Sequence, residues 1–209
     1  MTAIGMIETP QPAPDRARTG APAPNRLNRT LVLVGLMGAG KTSVGKRLAA
    51  LLGVHFTDSD AEIVAAAGMS IPEIFATLGE PAFRDGERRV IARLLAERPG
   101  VLATGGGAFI EPRTRAEIKA HATSVWIRAE LDLLWDRVRD RPGRPLLQTA
   151  DPRGVLADLD RRRSPIYAEA DVIVDSRRGA SHEAMAREIF AAVRAYDAAA
   201  PGRSPTLEP

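Results

Sequence analysis

The chain has 209 residues, with 29 Lys and Arg against 26 Asp and Glu, a net charge of +3. That length suits one domain with tails, and the balance is too even to argue for a nucleic-acid partner, despite a sequence pI of about 9.8. An aromatic fraction of 4% argues against a base-stacking surface, the absence of cysteine removes disulfides and thiolate sites, and no stretch approaches the roughly 20 apolar residues of a membrane span. A soluble, cytoplasmic protein is expected.

Residues 1–28 carry Pro10, Pro12, Pro14, Pro22 and Pro24 among alanines and no aromatic residue. Such a segment buries too little apolar surface to offset its ordering entropy, and a disordered tail is predicted. A single domain is expected over 29–196. It begins with a strand at Leu31–Gly35 that runs into a helix over Lys41–Leu52. Between them, Gly35, Gly40, Lys41 and Thr42 fit the pattern G-x-x-x-x-G-K-[ST]. There the backbone N–H groups of Gly38, Ala39, Gly40, Lys41, Thr42 and Ser43 can turn toward phosphate oxygens at a helix N-terminus. Lys41 would reach the terminal phosphates and the Thr42 hydroxyl would ligate Mg²⁺.

A second strand, Val54–Thr57, ends in Asp58-Ser59-Asp60. Side chains two apart share a face of an extended chain, so both carboxylates can point into one cleft; the plainer alternative is a helix cap. Helices follow over Asp60–Ala67 and Pro72–Ala96, the latter interrupted near Gly79–Pro81. Within it, Arg84 and Glu87 stand three residues apart, close enough for the carboxylate to hold the guanidinium. The third strand, Val101–Thr104, runs directly into Gly105-Gly106-Gly107. No strand-end carboxylate of the kind many ATPases use for the metal stands there, and no N-K-x-D guanine reader occurs. Three bare glycines let a small ligand approach the backbone closely.

A helix at Pro112–Ala120, a strand at Ser124–Ile127 and a helix at Leu131–Val138 come next. The stretch Arg139–Asp151, rich in Pro, Arg and Gly, reads as a mobile loop, and Arg144 within it could fold over a transferring phosphate. A helix at Arg153–Ala168 carries Arg161, Arg162 and Arg163, two of which are expected to be solvated only. A last strand at Asp171–Val174 and a helix at His182–Tyr196 precede a polar, proline-containing tail over 197–209, also predicted disordered. Strands alternating with helices predict a three-layer α/β fold around a parallel sheet, with ligands at the carboxyl ends of the strands.

Taken together, GLMGAGKTSVGKRLA (35–49), FTDSDAEI (56–63), FRDGE (83–87), VLATGGG (101–107), RPLL (144–147) and RRRSPIY (161–167) resemble shikimate kinase over roughly 28–195. The resemblance implies a P-loop kinase fold with a five-stranded parallel sheet ordered 2-3-1-4-5, a helical substrate-binding insertion over about 58–90 and a lid over 139–151. It implies transfer of the γ-phosphoryl group of ATP to the 3-hydroxyl of shikimate, with Mg²⁺ held through Thr42 and Asp58. Shikimate would be bound by Asp60, Arg84, Gly105, Gly106, Gly107 and Arg163, with Asp60 also the candidate base. Lys41 and Arg144 would serve the phosphates. Arg137, or Arg139 close by, would pack against adenine. A monomer acting on two small molecules, without nucleic acid or membrane, is what this family implies.

Overall fold

The computed structural model describes residues 27–140, 145–147, 149–199 and 204–208. Five strands form one parallel sheet: β1 (Thr30–Val34), β2 (Phe56–Asp58), β3 (Val101–Ala103), β4 (Ala122–Ala129) and β5 (Val172–Ser176), in the order β2-β3-β1-β4-β5. This is the order expected. All five residues of β1 are buried, as a central strand covered on both faces requires. The helices are α1 (Lys41–Leu52), α2 (Ser59–Ala67), α3 (Ile71–Ala96), α4 (Pro112–His121), α5 (Leu131–Val138), α6 (Pro152–Tyr167) and α7 (His182–Ala199). One large apolar cluster joins the sheet to α1, α5, α6 and α7, through residues such as Leu33, Leu48, Leu134, Leu156 and Ile189.

The pair α2–α3 stands partly apart. Ile63, Ile74 and Phe83 form their own small buried cluster, so this insertion is held by side chains it supplies itself. Helix α3 is two helices in one span. Gly79 sits at φ 80°, ψ 169°, a conformation open to glycine at little cost, and Pro81 then begins the second half where its missing N–H is not needed. The break predicted near Gly79–Pro81 is therefore present, just before Arg84. β4 extends beyond Ser124–Ile127 at both ends because Thr30 pairs with Ala122, and Ala129 with Ser176.

Both predicted tails need correction. Of the 1–28 segment, 1–26 lies outside the described residues, but Leu27 is buried and forms an antiparallel bridge with Leu207. At the other end α7 continues to Ala199, and Thr206 and Leu207 are buried. The Asp197 carboxylate accepts the N–H groups of both, each at 3.0 Å, and the Thr206 and Thr123 hydroxyls lie 2.7 Å apart. A polar composition predicted disorder, yet Leu27 and Thr123 are far from this segment in sequence and no local pattern announces the pairing. Among the described residues, no single helix is long and apolar enough to cross a membrane.

Candidate active site

The carboxyl ends of β1, β2 and β3 open onto a cleft of about 360 Å³, lined by the loop 37–44, Asp58, Asp60, Thr104–Gly106, Arg137, Ser176 and His182. Its floor is the turn between β1 and α1. Gly38 at φ 82° and Gly40 at φ 101° adopt left-handed conformations that let the chain wrap a small anion. At the start of α1 there is neither a capping side chain nor an acidic residue in the first turn. By contrast α2, α3, α4 and α6 are capped by Asp58, Ser70, Glu111 and Asp151. The positive end of the α1 dipole is thus left for a ligand's negative charge. Lys41 folds across this loop, Nζ donating to the carbonyls of Gly35 at 2.7 Å and Leu36 at 3.0 Å.

Asp58 does two things at once. Oδ1 accepts the Asp60 N–H at 3.1 Å, capping α2, while Oδ2 accepts the Thr42 hydroxyl at 2.9 Å. The cap and the ligand readings of this aspartate are therefore compatible. At the end of β3, where a carboxylate is missing, the Thr104 hydroxyl is buried and donates to the Leu33 carbonyl. Asp58 stands beside Ala103 on the neighbouring strand, which puts a carboxylate one strand away from that position. One hydroxyl, one carboxylate and incoming phosphate oxygens suit Mg²⁺, which keeps several waters and takes few protein ligands.

Opposite the phosphate loop, Gly105 and Gly107 are packed too closely for a side chain unless a neighbour moves, whereas Gly106 has room for a Cβ. A Cβ on Gly105 would lie 2.6 Å from Asp60 Oδ1, and one on Gly107 would lie 2.5 Å from Arg84 Nη1. Neither glycine has a positive φ, so it is space rather than backbone conformation that demands them. Arg84 donates to Glu87 at 2.9 Å and to Glu80 at 3.0 Å. Burial alone would lower the Arg84 pKa, but Glu87 and then Glu80 outweigh it and the net shift is upward. Glu87 is 1% exposed; burial pushes its carboxyl above the usual range, with Arg84 pulling the other way. Arg163 reaches the same loop from α6, Nη1 donating to the Gly106 carbonyl at 3.1 Å. Among the described residues, its neighbours Arg161 and Arg162 bond to Asp158, at the surface.

At the far end of the cleft, Arg137 Nη1 donates to the Gly38 carbonyl at 3.1 Å and to Ser176 Oγ at 3.0 Å. Burial, then the charge of Arg178, lowers its pKa. Arg139 instead pairs with Asp136 and Asp140 outside the cleft. Of the two candidates, Arg137 is the one that lines it. Arg144 lies outside the described residues, as does much of the loop 139–151; within that loop Pro145–Leu147 form one 3₁₀ turn.

The shikimate kinase sequence profile matches residues 37–194. The chain belongs to the shikimate kinase family. It is 60% identical over 164 residues to the shikimate kinase of Paramagnetospirillum magneticum, covering 78% of this chain and 84% of that one. To the shikimate kinase of Caulobacter vibrioides it is 61% identical over 148 residues, 71% of this chain and 74% of the other. Among solved structures, a shikimate kinase from Acinetobacter baumannii in complex with shikimate superposes with a TM-score of 0.76 at 39% identity, covering 80% of this chain and 93% of that one. A gluconokinase from Sinorhizobium meliloti, at 19% identity and a TM-score of 0.56, shares the fold alone. As a shikimate kinase the chain is an ATP-dependent phosphotransferase acting on a small molecule.

Two residues that hold parts of the cleft together escaped the sequence reading. Ser59 is fully buried between the aspartates and its Oγ accepts the Gly105 N–H at 3.3 Å, tying the second strand's end to the glycine loop. Ser176 ends β5 and holds Arg137. Its position at the carboxyl end of a strand was the available signal.

The close fit at Gly107 yields a prediction. Gly107→Ala forces the Arg84 guanidinium off its position, leaving buried Glu87 without its partner. Losing one charge-assisted contact is worth about 1.5–3 kcal/mol. We expect kcat/KM for the acceptor to fall by about 10- to 100-fold, with the KM for ATP within about twofold, since α1 is untouched. Steady-state kinetics on each substrate measures this; equal loss for both would contradict it.

Proposed function

We propose that the cleft transfers the γ-phosphoryl group of ATP to the 3-hydroxyl of shikimate, with the acceptor held between the glycine loop and the arginines Arg84 and Arg163. The observation that carries this reading is the pair of half-buried arginines, Arg84 against Gly107 and Arg163 against Gly106, which brings two guanidinium groups to one loop beside Asp60. Two forked cations facing an acidic acceptor give an oriented grip on its carboxylate. Asp60, against Gly105, is placed to accept hydrogen bonds from the ring hydroxyls.

Phosphoryl transfer asks mainly for in-line positioning and positive charge around the equatorial oxygens. The N-terminus of α1 receives the phosphate chain. Lys41 exchanges its two carbonyl partners for the terminal phosphates, and Arg137 flanks the base. Thr42 and Asp58 would hold Mg²⁺, which when bound neutralises phosphate charge. Arg144 is assigned to the lid, over the transferring group, from the family resemblance alone. Asp60 takes the proton of the attacking hydroxyl. Action as a monomer is what the family resemblance implies, and a single kinase domain over 29–196 accounts for the described groups of the cleft.

A coupled ADP-release assay against a panel of acceptors tests the reading. We expect ADP release with shikimate and none above background with gluconate or nucleoside monophosphates. Turnover of gluconate without turnover of shikimate would overturn it.

A further inference from the structure

Tyr167, the last residue of α6, has no part in the chemistry above. It is 1% exposed, its ring packs on Trp126 with centroids 5.8 Å apart, and its hydroxyl donates to the Gly106 carbonyl at 2.5 Å. That is the same carbonyl that Arg163, one helical turn earlier, also donates to. Two donors on one carbonyl, from one helix, invite a division of labour. Arg163 is also the group wanted by the acceptor's carboxylate. When it turns to that carboxylate, its hold on Gly106 weakens.

We propose that Tyr167 is a positioning residue for the acceptor half of the site, its hydroxyl fixing the Gly106 carbonyl so that Arg163 is released to the acceptor without the glycine loop shifting. This rests on the shikimate kinase reading of the cleft. The glycine loop lies between the two halves of the site. A Cβ built on Gly106 would lie 3.6 Å from the Gly35 carbonyl and 3.8 Å from the Met37 nitrogen, ordinary contact distances that place Gly106 beside the phosphate loop. Its neighbours Gly105 and Gly107 abut Asp60 and Arg84. A displacement of the loop would therefore change the separation of donor and acceptor as well as the acceptor's grip, and a misplacement of about 1 Å is enough to cost 10²-fold in rate.

The donor is suited to the task. A phenol has few rotatable bonds, and this ring is locked by its burial, whereas a guanidinium on a four-bond stem swings freely. Burial raises the Tyr167 pKa to about 12, with Arg163 opposing, so the hydroxyl keeps its proton and remains a donor throughout the neutral range.

The test is Tyr167→Phe, which keeps the ring and removes only the hydroxyl. Tyr196→Phe is the matched control: it deletes another phenol, bonded to Asp171 at 2.8 Å at the amino end of β5, away from the cleft. Steady-state kinetics with each substrate and thermal melts are run on both variants and the wild type. For Tyr167→Phe we expect the KM for shikimate to rise about fivefold, as one lost hydrogen bond allows, with the KM for ATP within twofold. Tyr196→Phe should leave both constants unchanged. An unchanged shikimate KM in Tyr167→Phe overturns the proposal, as does a rise of both constants together with a greater loss of melting temperature than the control. If the wild type turns over shikimate and Arg163→Ala weakens it while Tyr167→Phe does not, only the role of Tyr167 is lost. If the wild type fails to phosphorylate shikimate, the reading of the cleft falls and this role with it.

Discussion

Lys41→Met is expected to lower kcat by about 10³-fold, while the melting temperature stays within a few degrees of the wild type. Methionine reproduces the length and apolar stem of lysine, so the packing along α1 is kept. The two carbonyls that lose the ammonium, those of Gly35 and Leu36, immediately precede the residues that line the cleft. What cannot be replaced is a positive charge aimed at the place where negative charge moves during transfer. A preorganised donor of that kind acts mainly on the transition state, so kcat should fall more than the KM for ATP rises. The backbone N–H groups and the α1 dipole remain, which is why nucleotide binding should persist. Single-turnover kinetics and nucleotide titration separate the two. A variant within tenfold of the wild type in kcat would remove Lys41 from the transition state.

The fold was legible because strands and helices alternate with short, glycine-marked connections, and a central strand such as β1 is apolar at nearly every position. The order of the sheet came from the family resemblance and not from the periodicity, since strand order is a property of tertiary packing. Asp197, Thr206 and Leu207 mark the opposite case. Their hydrogen bonds reach between the end of α7, Asn28 and β4, and composition windows see only neighbours along the chain.

In the site, what could be read was whatever has a fixed spacing. The phosphate loop announces itself within eight residues, and Asp58 and Asp60 by their alternation. The relation between Gly107 and Arg84 could not be read that way, because the need for a bare backbone arises only once a guanidinium from α3 lies across it. Ser59 is similar: it sat in full view inside Asp58-Ser59-Asp60, but its use is a hydrogen bond to a residue 46 positions away. Arg137 and Arg139 remained alternatives in the sequence because both flank the end of α5. A helix turns 200° over two residues, so only one of them can face the cleft.

Asp60→Asn carries the second large expectation, a fall in kcat of about 10²-fold or more, within the range for loss of a general base. The asparagine can still accept and donate hydrogen bonds in nearly the same volume, and Asp58 still caps α2 through the backbone N–H of residue 60. The fold and much of the acceptor's orientation should therefore survive. What the change removes is a negative charge able to take a proton. The carboxylate sits in the first turn of α2. A weak base is adequate here, because in a loose phosphoryl transfer the attacking oxygen gains little bonding before the transition state and its proton leaves late. The consequence is a distinctive split: kcat should drop more than the KM for shikimate rises. If Asp60 only orients the ring, the order reverses, with KM rising by a factor typical of a lost charge-assisted bond and kcat retained. Measuring both constants for shikimate at saturating ATP decides between them, and near-normal kcat in Asp60→Asn would take the proton-accepting role away from this residue.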